Sequence, residues 1–338
     1  MKKKFMPLLI IFILAILGSS CSLILNEDPS DSPLEVYDSF WNVLNRDYAG
    51  FYTKTYQDWT ALRLTYRDAI INNPNDETLL SACTDIINQL NDGHMILFTG
   101  TQEITVYPDY TTIPFDLSVI QKTYLSQESW DASGSICTGF LPDGSYYMHV
   151  SRFSGEGWGK NFATELDRFV PGGFLIIDLR HNGGGNSEIG EDLLAQFVGE
   201  SVQYGRDILH LGSDTTPLNR ELWLHPAQGA PRQHRIVLLI NETSASTTDM
   251  VIAAFQAHTE AFTIGKPTQA ELIGNNLPRE LTNGWVLRLG TVNNIMIGDT
   301  IVDGDIIPVD LEIDNTKERL EQGIDDQLEA ALSWIQSQ

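Results

Sequence analysis

A serine between a predicted strand and a predicted helix is the residue best suited to nucleophilic chemistry in this sequence. Ser246 lies in the string NETSASTTD, which occupies residues 241–249. At such a junction the N–H of Thr247 and the positive end of the helix dipole could stabilise an oxyanion formed when Ser246 attacks a carbonyl. The alternative is that Ser244, Ser246, Thr247 and Thr248 are N-cap residues and nothing more.

A glycine-rich string follows a second buried strand. DLRHNGGG occupies residues 178–185, directly after the apolar run FLII. Three consecutive glycines cost chain entropy, so we expect a specific need for them. Their backbone N–H groups can approach a ligand closely and point together at an anion. Asp178 and Arg180 are expected to brace the turn rather than to react, and the alternative for the whole string is a tight turn without a chemical role.

The elements around these strings predict a mixed α/β protein. FLIIDLR (174–180), RIVLLIN (235–241) and AFTIG (261–265) are typical of buried strands, and helical patterns separate them. Alternating strands and helices predict a parallel or mixed sheet with helices on its faces. Catalytic groups gather at the carboxyl ends of such strands.

The flanking regions carry further predicted elements. Residues 35–91 show three amphipathic faces at helical spacing, which would be buried by packing on one another. Further strands are predicted at MILFTG, TVYPDYTTIPFDLSVI, SYYMHVSRF, WVLRLGTV, TIVDG and LEI. The string KERLEQGIDDQLEAALSWIQ predicts one terminal helix.

The two glycine- and serine-containing strings together resemble the tail-specific, or C-terminal-processing, serine peptidases and the related tricorn-core proteases. That family carries a strand ending D-L-R-x-N-G-G-G and a strand ending N-x-x-S-A-S, with an acidic residue three places after the last serine. FLIIDLRHNGGG and VLLINETSASTTD match these two patterns. The resemblance extends to IGKPT (264–268), IIPVDLEI (306–313) and GIDDQLEAAL (323–332).

The resemblance spans about residues 35–335 and implies a fold. It implies a crotonase/ClpP-like spiral ββα core of the tail-specific protease type, preceded by a small N-terminal helical bundle. The helical region that ends in LNDGH resembles the leader of a tricorn-like branch that lacks a PDZ domain. About 50 residues separate this leader from the strand at Tyr146, which leaves no room for a PDZ domain.

The resemblance also implies roles for individual residues. Ser246 would be the nucleophile, and the N–H of Thr247 with one from Gly183 or Gly184 would form the oxyanion hole. In one branch a lysine base follows the G-x-P-T turn, but here Glu271 stands at that position and Ala270 replaces a glycine. A serine–lysine dyad in that frame is therefore excluded.

The general base implied by the tricorn-like branch is His94. A neutral histidine is a competent base near pH 7, because its unperturbed pKa is about 6.5. Such a histidine needs a carboxylate to fix its tautomer. Asp303 is the nearest match to the acid of this branch, and Glu271 and Asp305 are its rivals.

The N-terminus predicts export. Lys2, Lys3 and Lys4 precede a short apolar run and small residues, and Cys21 follows. This resembles a bacterial lipoprotein signal in which Cys21 is lipidated, although Leu17 stands four places before the cysteine instead of three. The alternative is plain secretion.

Four regions are predicted from these patterns. They are a lipoprotein-type signal peptide (1–20), a tether (21–34), an N-terminal helical subdomain (35–93) and a catalytic core (94–338).

The composition limits the classes of partner. The formal net charge is −24, which argues against nucleic acid or anionic lipid as the main partner. Cys83 is predicted as a small core residue, and a disulfide between Cys83 and Cys137 is one option in an exported protein. No metal or nucleotide is implied, and no zinc-like spacing of cysteine and histidine is present in the sequence.

The leading functional prediction is a lipid-tethered serine endopeptidase of the bacterial cell envelope that cuts exported polypeptides. The alternative, motivated by the changed GKPTQAE segment and the uncertain acid, is a non-catalytic member of the family that binds a ligand or peptide.

Overall fold

Three amphipathic helices open the part of the chain that the computed structural model describes, which comprises residues 29–53, 58–106, 113–155, 158–209, 216–229, 231–296 and 300–338. They are α1 (Pro33–Asp47), α2 (Trp59–Asn72) and α3 (Asp76–Leu90). The side chains of Asp58 and Asn75 accept hydrogen bonds from backbone N–H groups in the first turns of α2 and α3. The prediction of three helices in this region is confirmed.

The remaining elements are strands interspersed with helices. In chain order they are β1 (Ile96–Phe98), β2 (Glu103–Ile104), α4 (Leu117–Thr123), β3 (Ser126–Trp130), β4 (Ile136–Phe140), β5 (Tyr146–Val150), α5 (Trp158–Leu166), β6 (Phe174–Asp178), α6 (Ser187–Leu194), β7 (Val202–Leu209), β8 (Leu218–Leu224), β9 (Arg235–Ile240), α7 (Thr247–His258), β10 (Phe262–Gly265), β11 (Thr268–Gln269), β12 (Ile273–Glu280), β13 (Val286–Met296), β14 (Ile306–Ile307), β15 (Leu311–Glu312), α8 (Lys317–Glu321) and α9 (Asp326–Gln336).

Two sheets carry most of the strands. The larger has the order β15-β10-β9-β6-β5-β4-β3, in which β15 to β5 run parallel while β4 and β3 are antiparallel. The smaller is antiparallel with the order β2-β1-β13-β7-β8, and β12 also pairs with β13. Helices lie between β5 and β6, between β6 and β9, and between β9 and β10, so the predicted mixed α/β class is confirmed.

The strands β6 and β9 lie side by side in the larger sheet, with Asp178 opposite Leu239. Residues 175–178 and 236–240 are buried, which explains their continuous apolar sequences. Because the two strands are parallel, the segments that follow them leave the same edge of the sheet. The glycine-rich string and the serine-containing string therefore meet at this edge.

The apolar faces of the three N-terminal helices cover the smaller sheet as well as one another. Phe40 and Leu44 of α1 lie in one buried cluster with Leu97 of β1 and Leu287 of β13. Each buried side chain of this size contributes about 1.5–3 kcal/mol. The segment around His94, between α3 and β1, is therefore held at both ends.

The predicted terminal helix is wrong as a single element. It is divided into α8 and α9, and Gly323 between them has a φ of +79°. Asp325 begins α9 by accepting a hydrogen bond from the N–H of Leu328, and its carboxylate also binds Arg180. The break coincides with a glycine in the left-handed conformation followed by an N-cap aspartate, which are common signals for a helix end and a helix start.

Two predicted strands also differ. Part of the string TVYPDYTTIPFDLSVI forms α4, which begins where Asp116 accepts a hydrogen bond from the N–H of Ser118. Residues 107–112 of that string lie outside the described residues. In TIVDG, Ile301 forms only an isolated bridge with Met296.

Cys83 and Cys137 are both buried and free, so the optional disulfide is wrong and the core position of Cys83 is confirmed. The predicted signal peptide and Cys21 lie outside the described residues. Within the described ranges, no helix has the length and apolar character needed to span a bilayer.

Candidate active site

Ser246 occupies a strained turn between β9 and α7. Its φ is +61° and its ψ is −121°, a conformation that costs on the order of 1–3 kcal/mol for a residue other than glycine. Ordinary N-cap residues have extended dihedrals, so a capping role alone does not account for this geometry. A serine on a sharp strand-to-helix turn is a known arrangement for presenting a nucleophilic Oγ. Ser246 is also partly exposed, whereas Ala245 and Thr247 on either side are buried.

The turn that carries Ser246 is tied to the segment after β6. Ser244 Oγ donates to the carbonyl of Leu179 at 2.9 Å, and the N–H of Ala245 donates to the carbonyl of Asn182 at 3.1 Å. Within the turn, the N–H of Ser244 donates to the carbonyl of Asn241 at 2.9 Å. These bonds fix the serine turn against the glycine-rich segment.

Gly184 lies directly against the serine turn. It has a φ of +94°, and a Cβ on it would be 2.8 Å from Ser246 Cβ and 2.9 Å from the backbone N of Thr247. Thr247 Oγ1 donates to the carbonyl of Gly185 at 2.8 Å, and a Cβ on Gly185 would run into the carbonyl of Phe153. The glycines are needed for this close approach, so a turn without a further role does not explain them.

The geometry favours one of the two candidate glycine donors. The N–H of Gly184 donates to Asn182 Oδ1 at 2.9 Å and therefore points into its own loop. Gly183 is exposed, and nothing lies within 4 Å of the position of a Cβ on it. Gly184 consequently acts as a spacer, while Gly183 and Thr247 are the better candidates for an oxyanion hole.

A fully buried ion cluster lies at the start of the glycine-rich segment. The guanidinium of Arg180 has no exposed surface and binds Asp178 and Asp325, with a distance of 2.9 Å from Nη1 to Asp325 Oδ1. Tyr147 donates to Asp178 Oδ2 at 2.7 Å. Burial alone would raise the pKa of Asp178, but the charge of Arg180 outweighs it and the pKa lies below its usual value. Both residues therefore have the bracing contacts that the sequence predicted.

His94 is mostly buried at the start of the smaller sheet. Its backbone N–H donates to Asp92 Oδ1 at 2.8 Å, and its Nδ1 lies 3.9 Å from the same oxygen. Its side chain is 12% exposed. His94 precedes β1 by two residues, and β1 pairs with β13, the strand that contains Gly290. A Cβ on Gly290 would lie 2.5 Å from the carbonyl oxygen of Ile273.

Asp303 binds the same stretch of chain that lies against Gly290. Its Oδ1 accepts hydrogen bonds from the N–H of Leu272 at 2.7 Å and from that of Ile273 at 3.2 Å. Glu271 is the preceding residue and is partly buried. These contacts place the Asp303 carboxylate beside residues 271–273.

Asp305, the other rival of Asp303, and Lys266 in the IGKPT string have contacts of their own. Asp305 is exposed, and its Oδ2 accepts a hydrogen bond from the N–H of Val302 at 2.8 Å, which closes a local turn. Lys266 forms a surface ion pair with Glu312 at 2.7 Å. Neither geometry favours a part in proton transfer.

Asp249 is a functional candidate to which sequence analysis gave no role. Its Oδ2 accepts hydrogen bonds from the N–H of Ser246 at 2.7 Å and from the N–H of Glu271 at 3.0 Å. Thr268 Oγ1 donates to its Oδ1 at 2.5 Å. Burial raises the pKa of this carboxyl to about 7. The spacing S-x-x-D at the start of a helix was the available signal, because it matches a capping box.

Within the described ranges, no group of three or more His, Cys, Asp or Glu residues is arranged to hold a metal ion. The serine turn, the glycine segment and the 268–273 segment instead form one hydrogen-bonded unit around Asp249. This unit can present a hydroxyl beside backbone N–H donors.

Comparison with known proteins gives one family match. Residues 145–305 match the model of Peptidase family S41. No curated protein matches the chain.

Solved structures share the fold. A candidate peptidase from Parabacteroides merdae superposes with a TM-score of 0.74 at 21% identity, covering 90% of this chain and 97% of that one. Mature CPAF complexed with lactacystin gives a TM-score of 0.61 at 12% identity, with 86% and 95% coverage. A lipoprotein from Streptococcus agalactiae gives a TM-score of 0.53 at 13% identity, with 93% and 99% coverage. The predicted tail-specific protease type of fold is confirmed.

Proposed function

Since this chain belongs to peptidase family S41 through residues 145–305, we propose that Ser246 is the nucleophile of an exported endopeptidase and that His94 is its general base. The family makes the chain a serine-type peptidase whose substrate is a polypeptide. The proposal concerns which residues carry the reaction and where the protein works.

One observation carries the proposal. Ser246 holds a positive φ on a turn that Gly184 approaches so closely that no side chain fits between them. A fold retains such strain where it presents a reacting group. The same approach brings the glycine segment to the backbone N of Thr247, where the oxyanion would form.

The reaction follows the serine-peptidase scheme. Ser246 Oγ attacks the scissile carbonyl carbon while His94 accepts the hydroxyl proton. The N–H groups of Thr247 and Gly183 donate to the tetrahedral oxyanion. When the intermediate collapses, the C–N bond breaks and His94 returns the proton to the leaving amine. Water then hydrolyses the acyl-enzyme, with His94 again accepting and returning a proton.

Asp303 is the proposed acid that orients His94. The family resemblance supports this role, and the Asp303 carboxylate accepts hydrogen bonds from Leu272 and Ile273, directly after Glu271. Glu271 is the rival. A carboxylate beside the base fixes its tautomer and stabilises the imidazolium that forms.

The proposed location is the bacterial cell envelope. The Lys-rich start, the short apolar run and Cys21 support a lipid anchor. One structural neighbour is described as a lipoprotein, which agrees with this location. The acidic body, with a formal net charge of −24, fits attachment through the lipid rather than through an anionic membrane surface.

A fluorophosphonate probe tests the assignment, because it reacts covalently with activated serine hydroxyls. The wild-type protein should be labelled, whereas Ser246→Ala and His94→Ala should not be. Ser129→Ala, on the exposed strand β3, is the control and should label like the wild type.

The same experiment separates the alternatives. A folded wild-type protein that is not labelled would favour the non-catalytic binding protein. Loss of labelling in Ser246→Ala but not in His94→Ala would place the base elsewhere.

A further inference from the structure

We infer that Asp249 is a positioning residue that holds the Ser246 turn and the 268–271 segment in one fixed arrangement. The inference rests on the proposed role of Ser246 as nucleophile. It concerns a residue that does not touch substrate in the proposed reaction and acts through its neighbours.

Two distant backbone groups converge on one oxygen of Asp249. The N–H of Ser246 and the N–H of Glu271 both donate to Oδ2, at 2.7 and 3.0 Å. Asp249 is three residues beyond Ser246 in the first turn of α7, which is the position from which a side chain reaches back to the N-cap N–H. Glu271 is 22 residues further along the chain, so the carboxylate joins two separate segments.

Thr268 fixes the direction in which the carboxylate points. Its Oγ1 donates to Asp249 Oδ1 at 2.5 Å, and both side chains are buried. Thr268 belongs to β11, which pairs with β14 through the contact of Thr268 with Ile307. With Oδ1 engaged in this way, Oδ2 is directed at Ser246 and Glu271.

The strained dihedral of Ser246 explains why the turn needs such a partner. At a φ of +61° the turn is held by its surroundings rather than by local preference. Loss of the carboxylate would leave the two N–H groups without this acceptor, and the turn could relax. A displacement of about 1 Å at a reacting group can cost about 100-fold in rate.

Asparagine can reproduce the geometry without the charge. Its carbonyl oxygen can accept from both N–H groups in the place of Oδ2, and its NH₂ can donate to Thr268 Oγ1. Alanine provides neither contact. The pair Asp249→Asn and Asp249→Ala therefore separates the role of the hydrogen bonds from mere filling of the site.

The test compares kcat and KM for a peptide substrate with the rate of labelling by a fluorophosphonate. We expect Asp249→Ala to lower kcat and the labelling rate by about 100-fold with KM changed by less than about threefold. Asp249→Asn should stay within about tenfold of the wild type, and Thr268→Val should fall between the two variants.

A stability control excludes a general effect of losing a helix cap. Asp58→Ala removes the capping contact with Ala61 at the exposed start of α2, so it should lower the melting temperature and leave the labelling rate unchanged. Rates are compared at a temperature at which circular dichroism shows each variant to be folded. Asp249→Asn and Thr268→Val decide the question if Asp249→Ala does not fold.

Two results would overturn the inference. One is a folded Asp249→Ala variant that labels as fast as the wild type while Ser246→Ala stays unlabelled. The other is Asp249→Asn losing as much rate as Asp249→Ala, or, if the alanine variant does not fold, losing 100-fold or more. Labelling that persists in Ser246→Ala would instead refute the proposed nucleophile, so the two failures are distinguishable.

Discussion

Gly184 and Ser246 lie so close that a Cβ on the glycine would stand 2.8 Å from the Cβ of the serine. We therefore expect Gly184→Ala to displace the serine turn and to reduce fluorophosphonate labelling by about 100-fold or more. The backbone strain at the positive φ adds about 1–3 kcal/mol of destabilisation. Gly144→Ala is the matched control, because Gly144 has a φ of +85° with nothing within 4 Å of an added Cβ. Equal loss of labelling in both variants would contradict the spacing argument.

The buried pair of Arg180 and Asp178 should matter far more for stability than a surface pair. Arg180→Leu leaves two carboxylates buried without their cation, so the free energy of unfolding should fall by about 3–5 kcal/mol. Lys266→Met breaks the surface pair with Glu312 and should change the free energy of unfolding by less than about 1 kcal/mol. Urea denaturation of the two variants measures both values. A similar decrease in the free energy of unfolding in both variants would contradict the argument that burial makes the Arg180 ion pairs more important for stability.

The acid beside the base can be identified by exchanging carboxylates for amides. Asp303→Asn should lower kcat by about 100-fold or more if Asp303 orients His94. Asp305→Asn should have little effect, because Asp305 closes an exposed turn. A large loss in Glu271→Gln with a normal rate in Asp303→Asn would assign the role to Glu271.

The raised pKa of Asp249 predicts that its contribution to the free energy of unfolding falls as the pH rises. Burial raises the pKa of its carboxyl to about 7 in the folded protein. An unfolded Asp has a pKa of about 3.9, so between about pH 4 and pH 7 the unfolded chain releases a proton that the folded protein keeps. The stabilising contribution is therefore full below pH 4, is lost as the pH rises to about 7, and amounts to a few kcal/mol.

The difference in free energy of unfolding between the wild type and Asp249→Asn measures the contribution of Asp249 ionisation. Free energies of unfolding from urea titrations at several pH values should show a difference that changes between pH 4 and 7 and is constant above. A difference that is constant over the whole range would mean that Asp249 ionises normally in the folded protein.

The proposed lipid anchor requires that Cys21 carry the acyl chains. In a bacterial host fed with a labelled fatty acid, the wild type should incorporate label and fractionate with membranes. Cys21→Ser should do neither. Unlabelled wild-type protein released into the soluble fraction would support plain secretion.

The apolar runs were sufficient to predict the central strands. Because β6 and β9 are buried on both faces, their sequences are short continuous apolar runs, which are typical of buried strands. Ser246 and the glycine segment followed from their positions after these strands. The bond from the N–H of Gly184 to the Asn182 side chain spans two residues, so local sequence carries a signal for it in the form of an Asx turn.

Long-range contacts could not be predicted from local patterns. Asp325, which begins α9, forms an ion pair with Arg180, and the two are 145 residues apart. The joint hold of Asp249 on Ser246 and Glu271 depends on a contact across 22 residues. A periodic pattern within one helix carries no information about such partners.

The reach of the Arg180 cluster has a consequence for how the protein is made. Asp325 is synthesised 145 residues after Arg180. A growing chain therefore contains the glycine-rich segment and the Arg180 guanidinium before the Asp325 carboxylate is available to bind that guanidinium. A nascent chain in this state lacks one of the two carboxylates that bind Arg180. The buried cluster is therefore completed only after Asp325 has been synthesised.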